Sequence, residues 1–134
     1  MAEDLQLGWK LLEVVEAGDA IAVEELLRAG ANPNVRELLS RVAALQTAAC
    51  KGDLAIVELL VRYGADINLV SGDFPSTAIE SAAIAGRTAV VRWLLENAAH
   101  VPEGHYGDEL IEDVRKNGDV EIAALLKAAR SCSS

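Results

Sequence analysis

The chain has 134 residues, 51% of them apolar but only 4% aromatic, and carries a formal net charge of −9. That length suits one domain with a continuous core, and a composition rich in Ala and Leu but poor in aromatics favours closely packed helices over a sheet sandwich. Phosphate backbones and anionic membranes are bound through Lys and Arg, so a chain this acidic is a poor fit to nucleic acid or membrane, and a charged partner should be basic.

The acidic start Met1-Ala2-Glu3-Asp4 leads into no apolar signal segment, and no apolar run approaches the ~18 residues of a membrane span. Cys50 and Cys132 make neither a disulfide framework nor a metal-ligand spacing. A cytoplasmic setting is the expectation.

In chain order, Leu7, Leu11, Val14 and Val15 recur at helical spacing and predict an amphipathic helix over 5–17. Gly18 fits the left-handed position that ends a helix, and Asp19 can cap the next by accepting a backbone N–H. The Gly-Asp pair returns at Gly52-Asp53 and Gly118-Asp119, while Gly86-Arg87-Thr88 offers a weaker cap. Second helices are predicted at 21–28, 54–62, 89–97 and 120–129, with Gly30 and Gly64 closing two of them. Turns follow at Ala31-Asn32-Pro33-Asn34, Ala65-Asp66-Ile67-Asn68 and Ala99-His100-Val101-Pro102, where Asn and Asp bond local backbone and Pro forbids helix continuation.

These pieces repeat. Gly18, Gly52 and Gly86 lie 34 residues apart, as do Val23, Val57 and Val91, and Leu26, Leu60 and Leu94. A fixed period of about 20 to 50 residues marks stacked units that cannot bury their apolar faces alone. The stretch Ala48-Ala49-Cys50-Lys51-Gly52-Asp53-Leu54 through Gly64-Ala65-Asp66-Ile67-Asn68 resembles the second half of the ankyrin repeat. The resemblance covers nearly the whole chain and implies an all-α ankyrin-repeat solenoid. It divides into an N-terminal cap (5–34), internal repeats (35–68 and 69–102), a C-terminal cap (103–130) and a short tail (131–134). Leu7-Gly8-Trp9-Lys10-Leu11-Leu12-Glu13 and the segment from Tyr106-Gly107 resemble the caps of designed ankyrin repeat proteins, so an engineered binder and a natural cytosolic regulator or inhibitor both stay open. The tetratricopeptide repeat shares the period, but its Trp, Gly, Tyr and closing Pro positions are unmet.

Departures from the family pattern are informative. The Thr-Pro-Leu-His opening of the inner helix is replaced by Ala43-Ala44-Leu45-Gln46 and Thr77-Ala78-Ile79-Glu80. Thr77 and Glu80 have capping-box spacing, and the 34-residue period predicts one extra residue per internal repeat, in the turn. Between 35 and 51 there is neither Gly nor Pro, and Leu38, Val42, Leu45 and Ala49 share a helical face. This predicts an extended helix or helical turn at 36–42 in place of a β-turn finger, whereas Ser71-Gly72-Asp73-Phe74-Pro75 keeps finger chemistry.

No phosphate-binding glycine loop, zinc spacing or nucleophile elbow is present. A Cys50 nucleophile with His100 or His105 as base would be a hydrolase-like alternative, though Cys50 is more simply a small residue at a variable position. Asp108, Glu109, Glu112 and Asp113 are expected near a helix start, where its dipole favours carboxylates, rather than in a metal site. Trp93 reads as partly core, Trp9 as either packing or a binding anchor, and Asn34 and Asn68 as turn-bonding residues that also resemble hydroxylation sites of some ankyrin repeats.

The resemblance implies a non-enzymatic protein-binding module, monomeric when free, without metal or cofactor, whose concave surface meets a folded partner with a basic or apolar patch. The family's variable positions map to Arg36, Leu38, Leu39 and Arg41 in the first finger, and to Thr47, Cys50 and Lys51 in its helix. They continue at Asp73, Phe74, Ser81 and Ile84 in the next repeat, and at His105 and Tyr106 in the cap. Leu38, Leu39, Phe74 and Ile84 are the expected anchors, with Leu38 and Leu39 as mere cover for the stack as the competing reading.

Overall fold

Helix α1 (Ala2–Ala17) stops at Gly18, whose φ of 77° is left-handed, and Asp19 caps α2 (Ala20–Arg28) by accepting the Ala22 N–H at 3.1 Å. The same junction recurs between α3 (Ala44–Lys51) and α4 (Leu54–Arg62), where Gly52 has φ 77° and Asp53 accepts the Ile56 N–H at 3.3 Å. Between α5 (Ala78–Ile84) and α6 (Thr88–Glu96) Gly86 repeats the turn, but Arg87 at the cap position supplies no side-chain acceptor. The last pair is α7 (Gly104–Lys116) and α8 (Val120–Cys132). These elements come from a computed structural model that describes residues 2–73 and 75–132, and among them there are helices and two isolated β-bridges.

Consecutive helices pair, and the pairs stack in two rows: α1, α3, α5 and α7 on one side, α2, α4, α6 and α8 on the other. One core runs through the stack, from Leu11, Val15, Val23 and Leu27 through Leu45, Ile56, Leu60, Ile79 and Leu94 to Val114, Ile122 and Leu126. The largest of these side chains are wholly buried, each contributing about 1.5–3 kcal/mol of apolar transfer. Alanines 44, 48, 49, 78, 82 and 83 are buried as well, so small residues bring α3 and α5 close together.

The helix-to-turn closures repeat with the sequence period. The N–H groups of Ala31, Ala65 and Ala99 donate to the carbonyls of Leu26, Leu60 and Leu94 at 3.0, 2.9 and 2.9 Å. Gly30 and Gly64 take positive φ beside these closures, and in the third copy Ala98 does so with φ 71°.

Four expectations are corrected. Residues 36–42 are not helical. Arg36 and Ala43 form an antiparallel bridge, the Glu37 N–H donates to the Val42 carbonyl at 2.9 Å, and Arg41 closes the loop in the left-handed region with φ 61°. The reason is Glu37, whose carboxylate accepts the N–H groups of Leu39 (3.0 Å) and Ser40 (2.6 Å) and so supplies the local turn bonds that Gly or Pro would otherwise promote. Those bonds, Ser40 first, lower the Glu37 pKa. The second finger does form, bridging Ser71 to Ser76 with Gly72 at φ 97°.

Thr77 and Glu80 do not make a capping box: Thr77 gives no side-chain cap, and its hydroxyl bonds the Glu80 carboxylate at 3.2 Å instead. The carboxylates from 108 to 113 lie past the first turn of α7, because that helix begins at Gly104. Three of the four are held by side chains rather than by the helix end: Asp108 by Arg130 at 2.7 Å, Glu109 by His105 at 3.1 Å and Glu112 by Arg115 at 2.5 Å. Finally, Asn34 and Asn68 bond not their own turns but the next ones, accepting the N–H groups of Asp66 and His100 at 2.8 Å each. Asn32 and Asp66 supply the local bonds, to Asn34 and Asn68.

Candidate functional site

The fingers and the row α1–α3–α5–α7 carry the surface to be considered. Leu38 and Leu39 stand at the tip of the first finger, 68% and 87% exposed, so neither covers the stack. Arg36 and Arg41 flank them, both exposed. The finger is held rigidly from below: the Arg41 carbonyl accepts the Gly72 N–H at 3.2 Å, and the Ala43 N–H donates to Ser71 Oγ at 3.1 Å.

A buried polar cluster underlies both fingers. Gln46 Nε2 donates to Ser76 Oγ at 2.6 Å and to Ser81 Oγ at 2.9 Å, while its Oε1 accepts from the Ser71 hydroxyl. Gln46 therefore joins α3 to the second finger and to α5. One repeat on, the corresponding Glu80 is 6% exposed and accepts from the Thr77 hydroxyl and from Tyr106 Oη at 2.6 Å. That bond, together with burial and the adjacent negative charge, pushes the Tyr106 phenol up to about 12.

The sequence-assigned residues thus fall into groups. Ile84 is 57% exposed at the end of α5, and Cys50 holds the same register, 34 residues earlier, at the end of α3. Lys51 is engaged, donating to the Glu16 carbonyl at 2.5 Å and lying 3.4 Å from its carboxylate. Ser81 and Tyr106 are committed to the inter-helix bonds above, although the Tyr106 ring remains half exposed. Asp73 is exposed in the second finger, and Phe74 lies outside the described residues. His105 lies in the first turn of α7 and pairs with Glu109. Among the described residues no histidine hydrogen-bonds Cys50, whose carbonyl accepts from Arg87 Nε at 2.9 Å, and no group of three or more His, Cys, Asp or Glu is placed to hold a metal.

Arg36, Leu38 and Thr47 are brought together along an open groove of about 860 Å³ between α1 and the first finger. Its α1 wall includes Trp9, which the sequence left as either packing or a binding anchor, and Leu12, Glu13 and Glu16, which were not assigned to the site from the sequence. A signal was available. Glu13, Thr47 and Ser81 are spaced by 34, as are Glu16, Cys50 and Ile84, so the repeat register extends the variable positions of α3 and α5 onto α1. Gly8 brings α1 close to the finger stem: a Cβ there would stand 3.0 Å from Val35 Cγ2.

Helix pairs closing at a 34-residue register, with bridged fingers preceding the inner helices, make a recognisable stack. A family description of ankyrin repeats (3 copies) matches residues 11–103, more than half of the chain. The chain belongs to the ankyrin-repeat family. Among curated proteins, no relative matches it closely enough for comparison. Ankyrin repeats are generally protein–protein interaction modules and are typically not enzymes. No helix of this ankyrin stack, among the described residues, is long and apolar enough to cross a membrane.

Proposed function

We propose that the chain binds a folded protein partner through the concave side of its stack, formed by the fingers and inner helices. The observation that carries this reading is the set of large apolar side chains left in solvent there. Leu38, Leu39 and Ile84 are each more than half exposed on a scaffold whose other large aliphatics are mostly buried. Such clusters flanked by Arg concentrate interface energy. In this reading residues 5–34 and 103–130 cap the stack, 35–68 and 69–102 are its internal repeats, and the setting is cytoplasmic.

The test is capture of a partner by the immobilised chain, identification by mass spectrometry, and measurement of its affinity for a Leu38→Ala/Leu39→Ala/Ile84→Ala variant. The variant should keep wild-type helicity and lose more than about 2 kcal/mol of binding. Unchanged affinity with an intact fold rejects the proposal.

A further inference from the structure

The groove along α1 has features that the general concave surface lacks. Trp9, Glu13 and Glu16 are spaced four and three residues apart, which puts them on one face of α1. All three line the groove, with Leu12 beside them and Leu38 opposite. Trp9 is 60% exposed, which leaves much of its aromatic surface open to solvent.

The carboxylates of the groove differ in what they already hold. Glu37 is spent on the N–H groups of Leu39 and Ser40, and Glu16 on Lys51. Glu13 is exposed and makes no hydrogen bond or ion pair among the described residues. An aromatic ring one helical turn from an uncommitted carboxylate, with aliphatic walls on both sides, is complementary to a long cationic side chain. The stem of such a side chain would pack on Trp9, Leu12 and Leu38, with the cation against the indole and within reach of Glu13.

We infer that this groove binds a short linear segment of a partner protein, seating a Lys or Arg against Trp9 and Glu13 and a neighbouring apolar side chain against Leu38. The inference rests on the concave-surface reading and deepens it. A chain segment fits better than an enclosed small molecule, since the walls formed by Trp9 and Leu38 are themselves largely exposed. Net charge of −9 steers a basic segment toward the molecule. Lys10 and Arg36, also on the groove wall, carry the opposite sign. They are exposed donors suited to the carbonyl oxygens of a bound main chain, and they disfavour a segment of several consecutive cations.

The experiment selects randomised short peptides displayed on phage against the wild-type chain and against Trp9→Ala and Glu13→Gln variants, both confirmed to be folded by circular dichroism. Sequences that depend on Trp9 are expected to carry Lys or Arg next to a large apolar residue. The enriched peptide, fluorescently labelled, should bind Glu13→Gln about tenfold more weakly, the effect of losing one charge-assisted hydrogen bond. The inference is overturned if Trp9-dependent peptides lack a cation or are acidic, if no enriched sequence depends on Trp9, or if Glu13→Gln leaves the affinity unchanged. In each of those cases the concave-surface reading still stands if the captured partner continues to require Leu38, Leu39 and Ile84.

Discussion

Ala98 occupies the left-handed backbone position that Gly30 and Gly64 fill in the two preceding turns. A Cβ in that region costs roughly 1–2 kcal/mol, so Ala98→Gly should stabilise the fold by about 1 kcal/mol after the extra entropy of a glycine in the unfolded chain is counted. The urea midpoint of the variant measures this, and a lower midpoint would contradict it. Gly107 presents the reverse case. A Cβ there would come within 2.0 Å of the Pro102 carbonyl oxygen, a backbone atom that cannot swing aside. Gly107→Ala should therefore cost about 1–3 kcal/mol, as overpacking does, seen as a lowered thermal midpoint. Ala98 is visible in the sequence as a degraded copy of the Gly-Ala closure. Gly107 is not, because its constraint comes from the path of the chain through Pro102.

At the level of elements, the inner helices are joined by polar side chains that stand where the family pattern has its histidine. Gln46 satisfies three serine hydroxyls from the neighbouring finger and helix. Replacing it with Leu leaves those hydroxyls without their partner and should cost about 1–3 kcal/mol, measured by denaturant unfolding. The bond from Tyr106 to Glu80 locks α7 to α5 and has a pH signature. The folded phenol titrates near 12 against an ordinary value of 10.0. Its pKa is raised on folding, so the stabilisation is complete below about pH 10 and is lost as pH rises from there through about 12. Tyr106→Phe should abolish that part of the alkaline decline, followed by unfolding curves across the range. The first finger shows why helical spacing misled: Leu38, Val42 and Leu45 do share a helical phase, but the Glu37 carboxylate bonds the following N–H groups and competes with the helix. That competition is between two local solutions, and the contacts of Ser71 and Gly72 from the next finger favour the loop.

For the molecule as a whole, stacking buries one continuous core while leaving Leu38 and Leu39 in solvent. Leu38→Asp should then change stability by less than about 0.5 kcal/mol, as exposed substitutions do, while abolishing partner capture. A large loss of stability would mean that Leu38 serves the core. The asparagines at 34 and 68 carry the repeat from one turn to the next by accepting N–H groups 32 residues further along the chain. Such bonds between neighbouring units suit a stack in which each repeat is stabilised by its neighbours.

The sequence alone determined the all-α class, the 34-residue register, the Gly-Asp junctions and the family, because these follow from local backbone chemistry copied along the chain. The outer helices could likewise be read to within a few residues. Tertiary structure decided the loop at 36–43, the buried roles of Gln46 and Glu80, and the groove that adds Trp9 and Glu13 to the exposed finger residues. Each of these depends on what a neighbouring repeat places beside a residue. Periodicity shows that repeats correspond, but only their packing shows which side chains face one another across the joint.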